Sequence, residues 1–117
     1  MKARLVRFGE IEVDGARYER DVVVEGGRVT RRRKRASKPY REQFGHTPLS
    51  LDEPIPWSHR RLVIGTGAEG QLPVMDDVRR EARHRGVELI ELPTADACRL
   101  LSRDDHMDTA AILHVTC

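Results

Sequence analysis

Aromatic side chains are scarce in this chain, with two Phe, two Tyr and one Trp among 117 residues. A platform that stacks unpaired bases needs several rings interleaved with cations, so single-stranded nucleic-acid binding starts with little support. Cysteine is as sparse: Cys98 and Cys117 are the only two, and without CxxC spacing they make neither a disulfide framework nor a zinc motif. Such usage suits a reducing compartment. Long apolar runs are missing as well. Nothing approaches the roughly 20 apolar residues that span a bilayer, and Met1-Lys2-Ala3-Arg4 leads into charged residues rather than into the apolar stretch of a signal peptide. The expectation is a cytoplasmic protein without membrane insertion, and 117 residues provide for one core and one domain.

Charge is abundant, and it is unevenly placed. The fourteen residues from Arg28 to Arg41 hold eight Arg or Lys and no acid, whereas from His46 onward twelve acids face eight bases. The net value of +2 therefore conceals a basic segment, Arg31-Arg32-Arg33-Lys34-Arg35. Two readings stand beside each other. The segment is a surface for an anionic partner, with salt-sensitive affinity, or it is a solvated edge strand whose charges keep it from pairing with other chains. Nucleic acid is the least supported partner, because Tyr40 and Phe44 lie beyond the run and do not interleave it.

Apolar residues alternate with polar ones through Leu5–Phe8 and Ile11–Val13, closed by the hairpin dipeptide Asp14-Gly15; Tyr18–Val24 reads as a further strand before Gly26-Gly27, and Arg28–Arg35 as its continuation. These features predict an antiparallel β portion over residues 1–45. Residues 46–60 form a proline-rich connection with a short helix expected near Leu49–Glu53. Trp57 is expected to pack this connection onto the core. From Arg61 the order strand, helix, strand, helix, strand predicts a βαβαβ unit through residue 117. Val74, Val78 and Ala82 supply an apolar helix stripe ended by Gly86, and Thr94 is expected to cap a second helix that buries Ala97 with Leu100 or Leu101. Asp104–Asp108 reads as the polar turn into the last strand. The fold class is α/β (α+β), in one domain.

An ordered set of motifs spans nearly the whole chain: Gly9-Glu10-Ile11, Tyr18 through Val24, Gly26-Gly27, His46-Thr47, Leu62-Val63-Ile64-Gly65-Thr66-Gly67, Leu92-Pro93-Thr94 with Ala97, and Leu113-His114-Val115-Thr116-Cys117. This set resembles the Mth-domain family. The resemblance implies a compact three-layer domain, an N-terminal β portion packed beside a mixed sheet with helices, and no established enzymatic activity or cofactor. Relatives in that family include an adipogenesis-associated Mth-domain protein and a mitochondrial assembly factor for respiratory complex I, which makes an assembly or adaptor role through a protein partner the leading expectation. Two departures matter: Leu101-Ser102 stands where many members have Tyr-Asn, and the basic run replaces a tryptophan-containing segment of the animal relatives.

The residues offer a second class of function. Gly65, Thr66 and Gly67, followed by Ala68, Glu69 and Gly70, form a turn at the carboxyl end of a strand, where open α/β folds place ligands. It is either an anion or small-molecule site built from backbone N–H groups or a tight structural turn. It lacks the dinucleotide register and the Gly-Lys-Ser/Thr ending of a phosphate loop. Glu69 is the one acid in it, a candidate general base or an exposed loop residue. His46, His114 and Cys117 are the residue types of a Cys/His site, but the spacing of His114 and Cys117 puts them on opposite faces of a strand and no second ligand pair accompanies them. No metal is expected. His59, His84 and His106 sit among polar neighbours and read as solvated. Neither partner identity nor oligomeric state follows from these residues.

Overall fold

The structure, a computed structural model, describes residues 1–103 and 108–117; His106 and most of the expected polar turn lie outside the described residues. Three short strands, β1 (Ala3–Arg7), β2 (Glu10–Val13) and β3 (Ala16–Tyr18), form an antiparallel sheet in that order. Asp14-Gly15 turns β2 into β3 with φ of 48° and 86°, the left-handed pair that a two-residue hairpin requires. The remaining strands make a five-stranded sheet in the order β5-β4-β8-β6-β7. Its members are β4 (Val22–Glu25), β5 (Arg28–Arg31), β6 (Arg61–Thr66), β7 (Glu88–Leu92) and β8 (Thr109–His114). β6 runs parallel to β7 and β8, while β4 is antiparallel to β8 and β5. The sheet is therefore mixed, and the α/β class read from the sequence holds.

The N-terminal β portion is divided between the two sheets. The stretch expected as one strand, Tyr18–Val24, breaks at Glu19-Arg20-Asp21, because the buried Asp21 side chain turns inward to bond the backbone N–H of Val115 at 2.9 Å. The chain then leaves the first sheet and enters the second as β4. The expected Arg28–Arg35 strand stops at Arg31 and passes into a 3-10 segment, Lys34–Tyr40, followed by the single-turn helix α1 (Arg41–Phe44). The helix expected at Leu49–Glu53 is absent from that position. Leu49 instead exchanges backbone hydrogen bonds with Pro73 (2.8 Å) and Met75 (3.1 Å), which holds the connection extended against the core.

Two cores flank the five-stranded sheet. Along β6, Val63 faces a cluster with Ile11, Val22, Val24, Ala97, Leu101 and Leu113, covered by the three-stranded sheet and helix α3 (Thr94–Arg103). Leu62 and Ile64 point the other way, to Leu49, Val74, Val78, Ala82 and Ile112 beneath helix α2 (Asp76–Arg85) and the connection. The alternation is the period of two that puts neighbouring strand residues on opposite faces. It yields the three-layer arrangement. Of the expected helix stripe, Val78 and Ala82 are buried on α2, whereas Val74 precedes the helix and pairs with Leu49 in an isolated parallel bridge; Trp57 packs on the second core with the Arg85 guanidinium 5.3 Å from its ring centre.

Candidate functional site

At the end of β6 the glycine turn is filled from within. Gly67 has φ of +113°, and a Cβ there would stand 2.4 Å from the Cys117 carbonyl carbon. Only glycine lets the Thr116-Cys117 backbone cross so closely. The amide of Gly67 donates to Thr94 Oγ1 (2.8 Å); those of Ala68, Glu69 and Gln71 donate to the backbone oxygens of Thr116 (2.7 Å), Cys117 (3.3 Å) and Cys117 (2.8 Å). The expectation that this turn offers N–H groups to an anion is corrected accordingly, since its donors are engaged by the chain itself. Thr94 does not cap its helix either. Its hydroxyl accepts from Gly67 and donates to the His114 carbonyl at 2.5 Å, tying the turn to β8. Glu69 is exposed on the rim of the turn, and His46 is exposed after α1, with no hydrogen bond to His114 or the turn among the described residues.

A different set of polar residues meets at the other side of β8. His114 Nδ1 lies 2.8 Å from Asp21 Oδ2, and its Nε2 lies 3.2 Å from the Thr116 hydroxyl. A carboxylate only accepts, so Nδ1 donates its proton to Asp21, and Nε2 is left to face the threonine hydroxyl. Asp21 Oδ2 also accepts from Arg32 Nη1 at 2.9 Å. Arg32 in turn forks onto Glu53 at 2.9 and 2.8 Å and donates to the Pro48 carbonyl at 3.0 Å. Ser37 bonds both Glu53 and Ser50. The relay thus runs from Thr116 through His114, Asp21, Arg32 and Glu53 to two serines.

Arg32 is only 4% exposed, which removes it from the surface read in the basic run. Burial opposes its charge, but Glu53 and Asp21 outweigh that and raise its affinity for the proton. Burial also pushes the Asp21 carboxyl up; hydrogen bonds and charge from His114, the Val115 amide and Arg32 more than reverse this, bringing it down to about 2. Each partner of such a group needs the other, because a lone buried charge is far more costly than a paired one.

Over this relay opens a cleft of about 850 Å³, whose lining includes Arg20, Arg31, Arg33, Lys34, Arg35 and Lys38 together with Glu19, Asp21 and Thr116. The six named cations are exposed, and among the described residues none has an ion-pair partner. Four of the five residues of the basic run therefore face one concavity, while the fifth anchors it from beneath. Among the described residues, no group of three His, Cys, Asp or Glu is placed to hold a metal. Both thiols are free: Cys117 is half-buried beside Gly67, and burial pushes the Cys98 thiol up to about 11.

Residues 4–113 match the family model described as protein of unknown function (DUF498/DUF598). The chain belongs to the DUF498/DUF598 family. The chain is also similar to solved structures over its full length: the conserved hypothetical protein PH1505 from Pyrococcus horikoshii OT3 is 30% identical, with all of both chains covered and a TM-score of 0.80. The protein MT938 is 26% identical over 99% of this chain and 98% of its own, with a TM-score of 0.71. A Mth938-like domain from Bordetella pertussis shares the fold at 18% identity, covering 96% and 85% of the two chains with a TM-score of 0.54. The Mth-domain resemblance is thereby upheld. No curated protein matches the chain. In this DUF498/DUF598 domain the motifs that carry the resemblance converge, since Asp21, Gly67, Thr94, His114 and Thr116 are joined by direct hydrogen bonds or through the adjoining backbone.

Sequence reasoning missed Asp21, Glu53 and Ser37. One signal was present for Asp21: an acid directly before Val22-Val23-Val24 enters a buried strand and must find a partner there. Glu53, between prolines in the connection, carries no such local mark; only the fold brings it to Arg32.

Proposed function

We propose that this domain is an assembly or adaptor module that captures an acidic segment of a protein partner in its cation-lined cleft. The observation that carries the reading is the set of six cations around one concavity, none of them ion-paired among the described residues, anchored by the buried Arg32 ion pairs. Like charges gathered without counter-ions repel one another, and an anionic occupant relieves that repulsion while being steered toward the cleft. The buried acids beneath are already neutralised in part by Arg32, so they do not cancel the field of the rim. Low aromatic content supports a protein over single-stranded nucleic acid, because a base would find no ring to stack on in the cleft. Among the described residues no helix is long and apolar enough to cross a membrane.

The test is capture from the cells that make the protein, with crosslinking and mass spectrometry, comparing wild type with the Arg33→Glu/Lys34→Glu/Arg35→Glu variant. All three residues are exposed, so the variant folds with an unchanged melting temperature. A protein that copurifies with wild type at low salt, carries an acidic segment at the crosslinks and is lost from the variant supports the reading. Retention of the same protein by the variant, or capture of nucleic acid instead, overturns it.

A further inference from the structure

The cleft has an open strand at its edge. Among the described residues β5 pairs with β4 alone, and it forms one margin of the five-stranded sheet. Which of its backbone groups face outward follows from the ladder. Glu25 and Arg28 close the two-residue Gly26-Gly27 turn, and a pair closing such a hairpin exchanges both hydrogen bonds. At the far end Arg32 N–H donates to the Asp21 carbonyl at 3.1 Å. Since bonded pairs alternate with unbonded ones, the bonded pairs are Glu25 with Arg28, Val23 with Thr30 and Asp21 with Arg32. The N–H and C=O groups of Val29 and Arg31 therefore point away from β4, to the open edge, and Arg31 is also part of the cleft wall.

We propose that the acidic partner segment binds in extended form as a sixth strand on β5, running its carboxylates past Arg31 into the cleft. This rests on the capture reading above and adds the mode of binding. Addition of a strand to a sheet edge draws affinity from main-chain hydrogen bonds and specificity from alternate side chains. Both are available here. Val29 is half-buried and packs on the first core, so it offers an apolar neighbour to the residue of the incoming strand that lies opposite it. Arg28 and Arg31 flank it. A second copy of β5 pairing antiparallel about Arg31 would set the two arginines directly opposite each other, and like charges so placed are destabilising. The same charges that exclude self-pairing, the usual safeguard of an edge strand, select an acidic one. Beyond Arg31 the chain leaves the ladder into the 3-10 segment, where Arg33, Lys34 and Arg35 receive the acids that precede the paired residues.

The experiment uses the whole domain and a synthetic peptide, acetyl-Glu-Glu-Glu-Thr-Val-Glu-amide, together with the same peptide N-methylated at alternate backbone positions, which keeps charge and removes the donors. Amide exchange is followed residue by residue. In the free domain the Val29 and Arg31 amides exchange faster than those of Thr30 and Arg32. With the peptide at about ten times its Kd, exchange at Val29 and Arg31 slows by about tenfold. N-methylation weakens binding by about thirtyfold, the effect of two lost hydrogen bonds, and Arg31→Glu weakens it by about fivefold. Equal binding of the two peptides, with Val29 and Arg31 still exchanging freely, overturns strand addition while leaving cleft capture in place. If neither peptide binds while the wild-type domain still captures an acidic protein whose crosslinks fall in the cleft, strand addition is likewise overturned and the capture reading stands.

Discussion

Arg32 decides what the basic run is. Five consecutive cations look equivalent in the sequence, yet one of them is buried with two carboxylates and the other four are not. The Arg32→Met variant leaves Asp21 and Glu53 in a dry site without their counter-charge, and removal of one partner from a buried pair costs about 3–5 kcal/mol. Urea unfolding at neutral pH measures that loss. Adding Glu53→Gln to the same chain recovers part of it, because a neutral amide no longer needs the charge; if the double variant is as weak as the single one, packing and not electrostatics holds the relay. Asp21 makes the acid side of the same case. Its carboxyl lies at about 2 in the folded chain against an ordinary value of 3.8, so the folded state binds its proton less readily than the unfolded one. That contribution, about 2 kcal/mol, is fully present above pH 3.8 and is lost as pH falls toward 2. A stability profile over that window that is unchanged in Asp21→Asn would remove the assignment.

The elements were legible where their residues answered to local rules. Asp14-Gly15 and Gly26-Gly27 marked their hairpins, Val78 and Ala82 marked the buried face of α2, although Val74, read with them, lies ahead of the helix, and the alternation of strand and helix after Arg61 gave the C-terminal half. What the local pattern did not hold was the traffic between elements. Nothing near Tyr18 shows that the chain changes sheets at Asp21, and nothing near Gly67 shows that Thr116 and Cys117 lie across it. Both depend on partners about 50 to 94 positions away. The turn was read as a ligand loop because glycine serves a ligand and a crossing backbone by the same absence of Cβ. Gly67→Ala separates the two. It adds a methyl 2.4 Å from the Cys117 backbone at a positive φ, with an expected cost of about 2 kcal/mol, and it frees the Cys117 segment. Alkylation of the Cys117 thiol by iodoacetamide then speeds up, while Cys98, buried in α3, stays slow; equal rates in wild type and variant would show that Gly67 does not hold the segment.

At the scale of the molecule, the five-stranded sheet carries a core on each face, and the same strands build both. Val63 and Ala111 belong to one cluster, while their neighbours Leu62, Ile64, Ala110 and Ile112 belong to the other. Neither face can lose its packing without exposing a strand that the other needs. A domain so arranged unfolds as one cooperative unit, as small single domains usually do, even though its N-terminal strands are split between two sheets. The chain supplies a natural reporter on each side: Trp57 packs on the second core, and the buried Cys98 thiol sits in the first. Trp57 fluorescence and the thiol reactivity of Cys98, followed through the same urea titration at neutral pH, are expected to give coincident midpoints and equal slopes. An earlier transition at Cys98 would mean that the three-stranded sheet and α3 peel away first and that the five-stranded sheet stands without them. The relay supports the coincident outcome, because Asp21, where the chain passes from one sheet to the other, is bonded at once to Arg32, His114 and the backbone of Val115.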